Sequence, residues 1–166
     1  VPSGATLDVT GATVTGLSAG KILQIVEGSS STQQDNSSTT LTDIGLSVAI
    51  TPSSSSSKVL VMASFPVRFQ KSSNYYANGM FALLRGSTVI IDRSGSNVQD
   101  FGMEAGALGS SSYVANPVKM HMQILDSPST TSATTYKVQS AAFASSTVNS
   151  MWNDQPGHII VMEVST

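Results

Sequence analysis

A chain of 166 residues holds one ordinary domain plus a short appendage and is long enough to bury a real core. Only 11% of its residues are charged, far below the roughly 25% usual in soluble domains, and a net charge of -2 without any cluster of Lys or Arg leaves no electrostatic footprint for nucleic acid or an anionic membrane. There is no cysteine, which excludes disulfides and thiolate metal sites, and no run approaches the ~18 apolar residues of a membrane span, so neither nucleic-acid binding nor membrane insertion is expected.

The chain opens on VPSGATLDVTGATVTGL, in which Gly4-Ala5-Thr6 and Gly11-Ala12-Thr13 are each followed by an aliphatic residue, Leu7 or Val14. The spacing of the two units suggests a coiled coil, but Gly, Thr and Val are poor helix formers, and paired a and d leucines are missing. With Leu7, Val9, Val14 and Leu17 as its sizeable apolar groups, this strip cannot bury them within one chain, so partner chains must supply the other walls, as in fibrous repeats. The expected organisation is a fibrous β stalk over residues 1–20 and a tip domain over residues 21–166, with more of the fibre upstream of Val1.

From Lys21 onward, short β segments alternate with clusters of Ser, Gly, Asn and Pro. Residues 22–27 form the first, and Leu46, Val48 and Ile50 then alternate with Ser47, Ala49 and Thr51, a strand with one wet and one buried face. Pro52 and the serines at 53–57 break it, as a hairpin or crossover loop. Residues 58–69 form the longest candidate strand, with Val59, Val61, Ala63, Phe65, Val67 and Phe69 on one face. Pro66 cannot donate to a ladder, which places this stretch at a sheet edge or a bulge. Residues 80–85 and 88–92 flank Gly86-Ser87, a two-residue hairpin turn. Residues 101–109 are undecided, since Gly106 and Gly109 would stop any helical turn begun at Met103. Val118, Met120, Met122 and Ile124 mark the next strand, residues 134–143 another with Tyr136 and Val138 inward, and residues 158–164 the last. Met62, Met80, Met120, Met122 and Met162 fall in strands and read as core filler. Eight or nine strands without a convincing helix predict an all-β fold, an antiparallel β-sandwich of jelly-roll-like type.

The strings VPSGATLDVTGATVTGL, GKILQIVE, TDIGLSVAITPSSSSSKVLVM, FALLRGSTVI, LDSPSTTSATTYKVQ and HIIVMEV occur in this order and cover about half the residues. In them the chain resembles the C-terminal region of bacteriophage fibre proteins, of the kind found in phages of marine bacteria and cyanobacteria. Residues 65–80, 92–117 and 140–157 depart from that pattern. The resemblance implies a homotrimer at the distal end of a virion fibre, attaching to a host cell-surface glycan or an outer-membrane receptor. A structural capsid-decoration or connector protein and a polysaccharide depolymerase are the alternatives.

Enzymatic chemistry has little support in the residues. Asp92, Asp100, Glu104, Asp126 and Asp154 are available for a glycosidase pair, but no motif joins them; Asp126, in LDSP, reads as a turn residue before Pro128. No Gly-x-Ser-x-Gly elbow is present. His121 supplies none of the spacing that a metal site needs, and His158 reads as a turn or ligand contact, so neither catalysis nor a cofactor is expected. Binding has better candidates, because aromatic faces stack on sugar C–H surfaces while amides and carboxylates bond the hydroxyls. Two loops fit: Asn74, Tyr75, Tyr76 and Asn78 in KSSNYYAN, and Trp152, Asn153 and Asp154 in NSMWNDQ. A third, residues 110–116, carries Tyr113. Trp152 could alternatively cap the sandwich or fill a subunit interface.

Overall fold

The computed structural model describes residues 22–71, 76–91, 105–106, 114–143 and 145–165, so the stalk expected over residues 1–20 lies outside the described residues. The described strands are β1 (Ile22–Ser30), β2 (Gln34–Asn36), β3 (Thr42–Ile50), β4 (Lys58–Lys71), β5 (Tyr76–Arg85), β6 (Thr88–Ile91), β7 (Ala105–Gly106), β8 (Val114–Asp126), β9 (Thr134–Phe143), β10 (Thr147–Ser150) and β11 (Gly157–Val164). A single 3₁₀ turn, Trp152–Asp154, separates the last two. All pairings are antiparallel and fall into two sheets. One runs β3-β9-β5-β6, with β7 also on β5; the other is organised by β4. The chain passes repeatedly between the sheets, the wrapping of a jelly-roll-like sandwich, as its turn spacing and period predict.

Alternation makes β4 the spine of the fold. Val59, Val61, Ala63, Phe65, Val67 and Phe69 are all buried, and the Phe81 ring from the facing sheet packs edge-on against Phe65 and Phe69 at centroid distances of 5.1 and 6.2 Å. Full burial of a Val or Phe side chain contributes roughly 1.5–3 kcal/mol. The five larger side chains of this face thus supply on the order of 10 kcal/mol before ordering entropy is subtracted. Ile44, Leu46, Val48, Ile50, Leu83, Tyr136 and Val138 close the core from the other sheet.

At 14 residues β4 is long enough to serve two neighbours on one edge. β11 pairs it from Lys58 to Ser64 and β10 from Val67 to Gln70, while β8 pairs the opposite edge from Val59 to Lys71. Pro66 therefore lies in a central strand, not at an edge or bulge as the sequence suggests. It sits where β11 hands over to β10, a gap with no ladder partner on that side, while Lys119 of β8 is its register partner on the other, so a residue without an N–H is tolerated where one side of the ladder is open.

The methionines divide between the faces. Met122 is buried in the core and Met120 packs against it. Met62, Met80 and Met162 are not core filler: they alternate outward because Val61, Ala63, Gly79, Phe81, Val161 and Glu163 hold the inward positions.

β1 belongs to the β4 sheet but crosses close over β3. A Cβ on Gly28 would lie 2.1 Å from the Ser47 carbonyl oxygen, well inside any tolerable contact, and backbone cannot give way as a flexible side chain would. Gly28→Ala is expected to cost ~1–3 kcal/mol through this overpacking, a fall in Tm of several degrees for a domain of this size. An unchanged Tm by calorimetry would mean that β1 and β3 do not approach this closely.

Candidate functional site

The outer face of the β4 sheet is built by the residues that alternate out of the core. Register across β1, β11, β4 and β8 lines them up as Ile25, Met162, Leu60 and Leu125 in one row and Glu27, Ile160, Met62 and Gln123 in the next. Ser29, His158, Ser64 and His121 follow. Ile22, Leu23, Ile25 and Leu125 are 54%, 43%, 59% and 50% exposed. The first of these rows is wholly apolar, the second carries Glu27 and Gln123 at its two edges, and the third is polar. Between the second and third rows lies a hollow of about 540 Å³ lined by Met62, Ser64, His121, Gln123, His158 and Ile160. His158 Nδ1 lies 2.6 Å from Glu27 Oε1.

Further along β4 the same face becomes polar. Arg68 is in register with Asn149 of β10, and Asn149 with Asp35 of β2. Arg68 Nε donates to Asn149 Oδ1 at 2.9 Å, Asn149 Nδ2 donates to Asp35 Oδ1 at 2.7 Å, and Arg68 also bonds Gln70. The Arg68 guanidinium carbon lies 5.1 Å from the Trp152 ring centroid, a cation–π stack. Asn149 is buried beneath this assembly although it points away from the core, and Trp152 is half-buried.

The turn carrying Trp152 is held from outside itself. Met151, Asn153 and Asp154 have φ of 48°, 60° and 54°, a left-handed conformation costing roughly 1–2 kcal/mol at each non-glycine residue. Gln33 offsets part of this: its Oε1 accepts from the Asn153 N–H at 2.9 Å, its own N–H donates to Asp154 Oδ1 at 3.1 Å, and its Nε2 donates to Asp35 Oδ1 at 2.9 Å. One side chain and its backbone thus tie the turn to β2.

Of the residues singled out in the sequence, Trp152, Asn153 and Asp154 come together in this cluster. Asn78 does not join them. It alternates with Gly79, whose Cβ would meet Val148 and Phe69 in the core, and so lies on the outer side of the other sheet. Tyr76 begins β5; Asn74, Tyr75, Tyr113 and the side chain of Tyr76 lie outside the described residues. The strands bounding those two loops nevertheless end together, since β4 stops at Lys71 and β8 starts at Val114, its register partner. Arg68, Gln33, Asp35 and Gln70 were not legible as site residues. The available signal is Arg68 itself, a cation set between the apolar residues Val67 and Phe69.

Of the other acidic candidates, Asp92, Asp100 and Glu104 lie outside the described residues, and Asp126 serves the fold. Asp126 is not a turn residue: it ends β8, faces inward, receives Arg85 Nη1 on both oxygens at 2.8 Å, and accepts from the Tyr136 hydroxyl at 2.8 Å. Burial, and then the bond to Asp126, hold the Tyr136 phenol well above its usual range. Asp126 stands in register with Val59, towards the opposite end of β4 from Arg68 and the Asp154 cluster, so these two carboxylates form no catalytic pair. Among the described residues no group of three or more His, Asp or Glu is placed to hold a metal ion. No protein-family model matches the chain, and no curated protein does either.

Proposed function

We propose that this chain is the distal tip of a virion fibre, a homotrimer that attaches a bacteriophage to its host through a surface glycan or an outer-membrane receptor. The observation that carries this reading is polarity along β4. Ile22, where the preceding segment joins the sandwich, is in register with Val164, and Val164 with Lys58 at one end of β4. Arg68 and the Trp152 cluster lie about ten residues further along, roughly 30 Å away at ~3.3 Å per residue. The loops carrying Tyr75 and Tyr113 connect to strands that end still further from that junction. A stalk at residues 1–20 would therefore hold the tip with these loops leading.

Trimerisation is supported by the apolar row Ile25, Met162, Leu60 and Leu125 on β1, β11, β4 and β8, three residues along β1 from Ile22, and by the exposure of Ile22 and Leu23 themselves. A stalk unable to bury its own aliphatic residues would gather chains with those residues facing one another. Clustered sites then multiply weak single contacts by avidity, commonly by two to four orders of magnitude.

Labelled host cells incubated with the protein test the reading. Saturable adsorption is expected, reduced at least tenfold by Trp152→Ala at unchanged Tm. Adsorption by neither protein would favour a structural decoration or connector role, and release of oligosaccharides from host polysaccharide would favour a depolymerase.

A further inference from the structure

We infer that the surface formed by the Trp152 turn, β2 and the Arg68 end of β4 is a subsite for a neutral hexose, resting on the attachment reading above and naming its ligand class. Gln33, Asp35 and Arg68 join Trp152, Asn153 and Asp154 in it.

Three features of the cluster select this chemistry. First, the Trp152 indole is half-buried and backed by the Arg68 guanidinium at 5.1 Å, which fixes the ring as a platform in place of letting it collapse into the core. A fixed, partly exposed ring of this kind suits the apolar C–H face of a pyranose. Second, the exposed polar groups around it are carboxylates and amides. Asp35 uses Oδ1 for Gln33 and Asn149, and Asp154 uses Oδ1 for the Gln33 N–H, so the second oxygen of each is the natural acceptor for sugar hydroxyls. Third, charge decides between sugar classes. Two carboxylates stand against one guanidinium, and that guanidinium is already engaged by Asn149, Gln70 and the indole. A uronate or sialic acid would bring a third negative charge beside Asp35 and Asp154, and Lys119, an exposed cation on this face, stands on β8 in register with Pro66, across β4 from β10 and β2, whereas a neutral hexose only donates and accepts hydrogen bonds.

Gln33 is the positioning residue. Its three bonds hold Asn153, Asp154 and Asp35 in one arrangement before any ligand arrives, which lowers the ordering cost of binding.

The chain contains a single tryptophan, so its emission reports this site directly. The full chain would be titrated with neutral gluco-, manno- and galacto-oligosaccharides and with oligogalacturonate, reading tryptophan fluorescence and calorimetric heat. At least one neutral oligosaccharide should shift or quench the emission saturably and bind at least tenfold more tightly than oligogalacturonate. Asp35→Asn at unchanged Tm, and Gln33→Ala with a Tm lowered by the two side-chain bonds it loses but a chain still folded at the assay temperature, should each weaken that binding about tenfold or more, and Trp152→Phe should retain more of it by calorimetry than Trp152→Ala. Tighter binding of the uronate, neutral binding indifferent to these substitutions, or no emission change with any sugar would each overturn the inference. Host-cell adsorption that persists alongside a silent tryptophan would sink this subsite while leaving the attachment reading standing. Sugar binding without adsorption would do the reverse.

Discussion

In light scattering the 166-residue protein is expected to show three times the 17.2 kDa of one chain, and the double variant Ile25→Asp, Leu125→Asp to show the mass of a single chain. The two positions are chosen from opposite edges of the apolar row. Ile25 is on β1 and Leu125 on β8, with Met162 and Leu60 between them. A threefold ring is built from head-to-tail contacts, in which one edge of a face meets the other edge of its neighbour's. Both substitutions then fall in every contact. Each residue is at least half exposed in the single chain, so aspartate there adds little to the cost of folding, whereas a desolvated and unpaired carboxylate in an interface costs several kcal/mol. An obligate assembly of this kind is expected to bury at least ~2,000 Å² per contact. A wild type that weighs one chain would end the trimer reading, and a double variant that remains trimeric would place the contact elsewhere on the surface.

Much of this architecture was legible because β structure writes itself with a period of two. The inward set of β4, the Gly86-Ser87 hairpin and the inward Tyr136 all follow from alternation and turn chemistry. What alternation does not carry is which strand lies beside which. Pro66 looks like an edge residue until two different strands are seen to share one edge of β4. The same limit hid most of the candidate site. Trp152, Asn153 and Asp154 could be named from their chemistry, but Gln33, which bonds that turn from 121 residues away, occupies an unremarkable polar stretch. The serine run is similar. It was readable as a loop between two strands, but not as the solvation shell of a carboxylate near the other end of the chain.

That carboxylate carries the second large expectation. Glu163 points inward from β11, is 0% exposed, and has no cation beside it among the described residues. The Ser53 N–H and hydroxyl donate to Oε1 at 2.7 and 2.6 Å, and Gln24 Nε2 donates to Oε2 at 2.6 Å. Burial pushes its pKa up, but the hydrogen bonds from Ser53, Gln24 and Ser57 outweigh it and hold the group down at about 2, against an ordinary 4.5. In Glu163→Gln the Oε1 position can still accept from Ser53, but the new amide N–H₂ would face the Gln24 N–H₂. Turning the Gln24 amide to relieve that clash would forfeit its bond to the Thr51 carbonyl. With hydrogen bonds to charged groups worth roughly 1.5–3 kcal/mol, the variant is expected to lose about 2–3 kcal/mol at pH 7, read as a lowered urea midpoint at unchanged slope. The pH dependence identifies the cause. A carboxylate whose pKa is depressed on folding contributes its full stabilisation above the unfolded value and loses it as pH falls towards the folded one. The gap between wild type and variant should therefore be constant above about pH 5 and narrow from pH 4.5 down to 2. A gap unchanged across that window would mean that Glu163 is stabilised by packing alone, and that the serine loop is not there to solvate a charge.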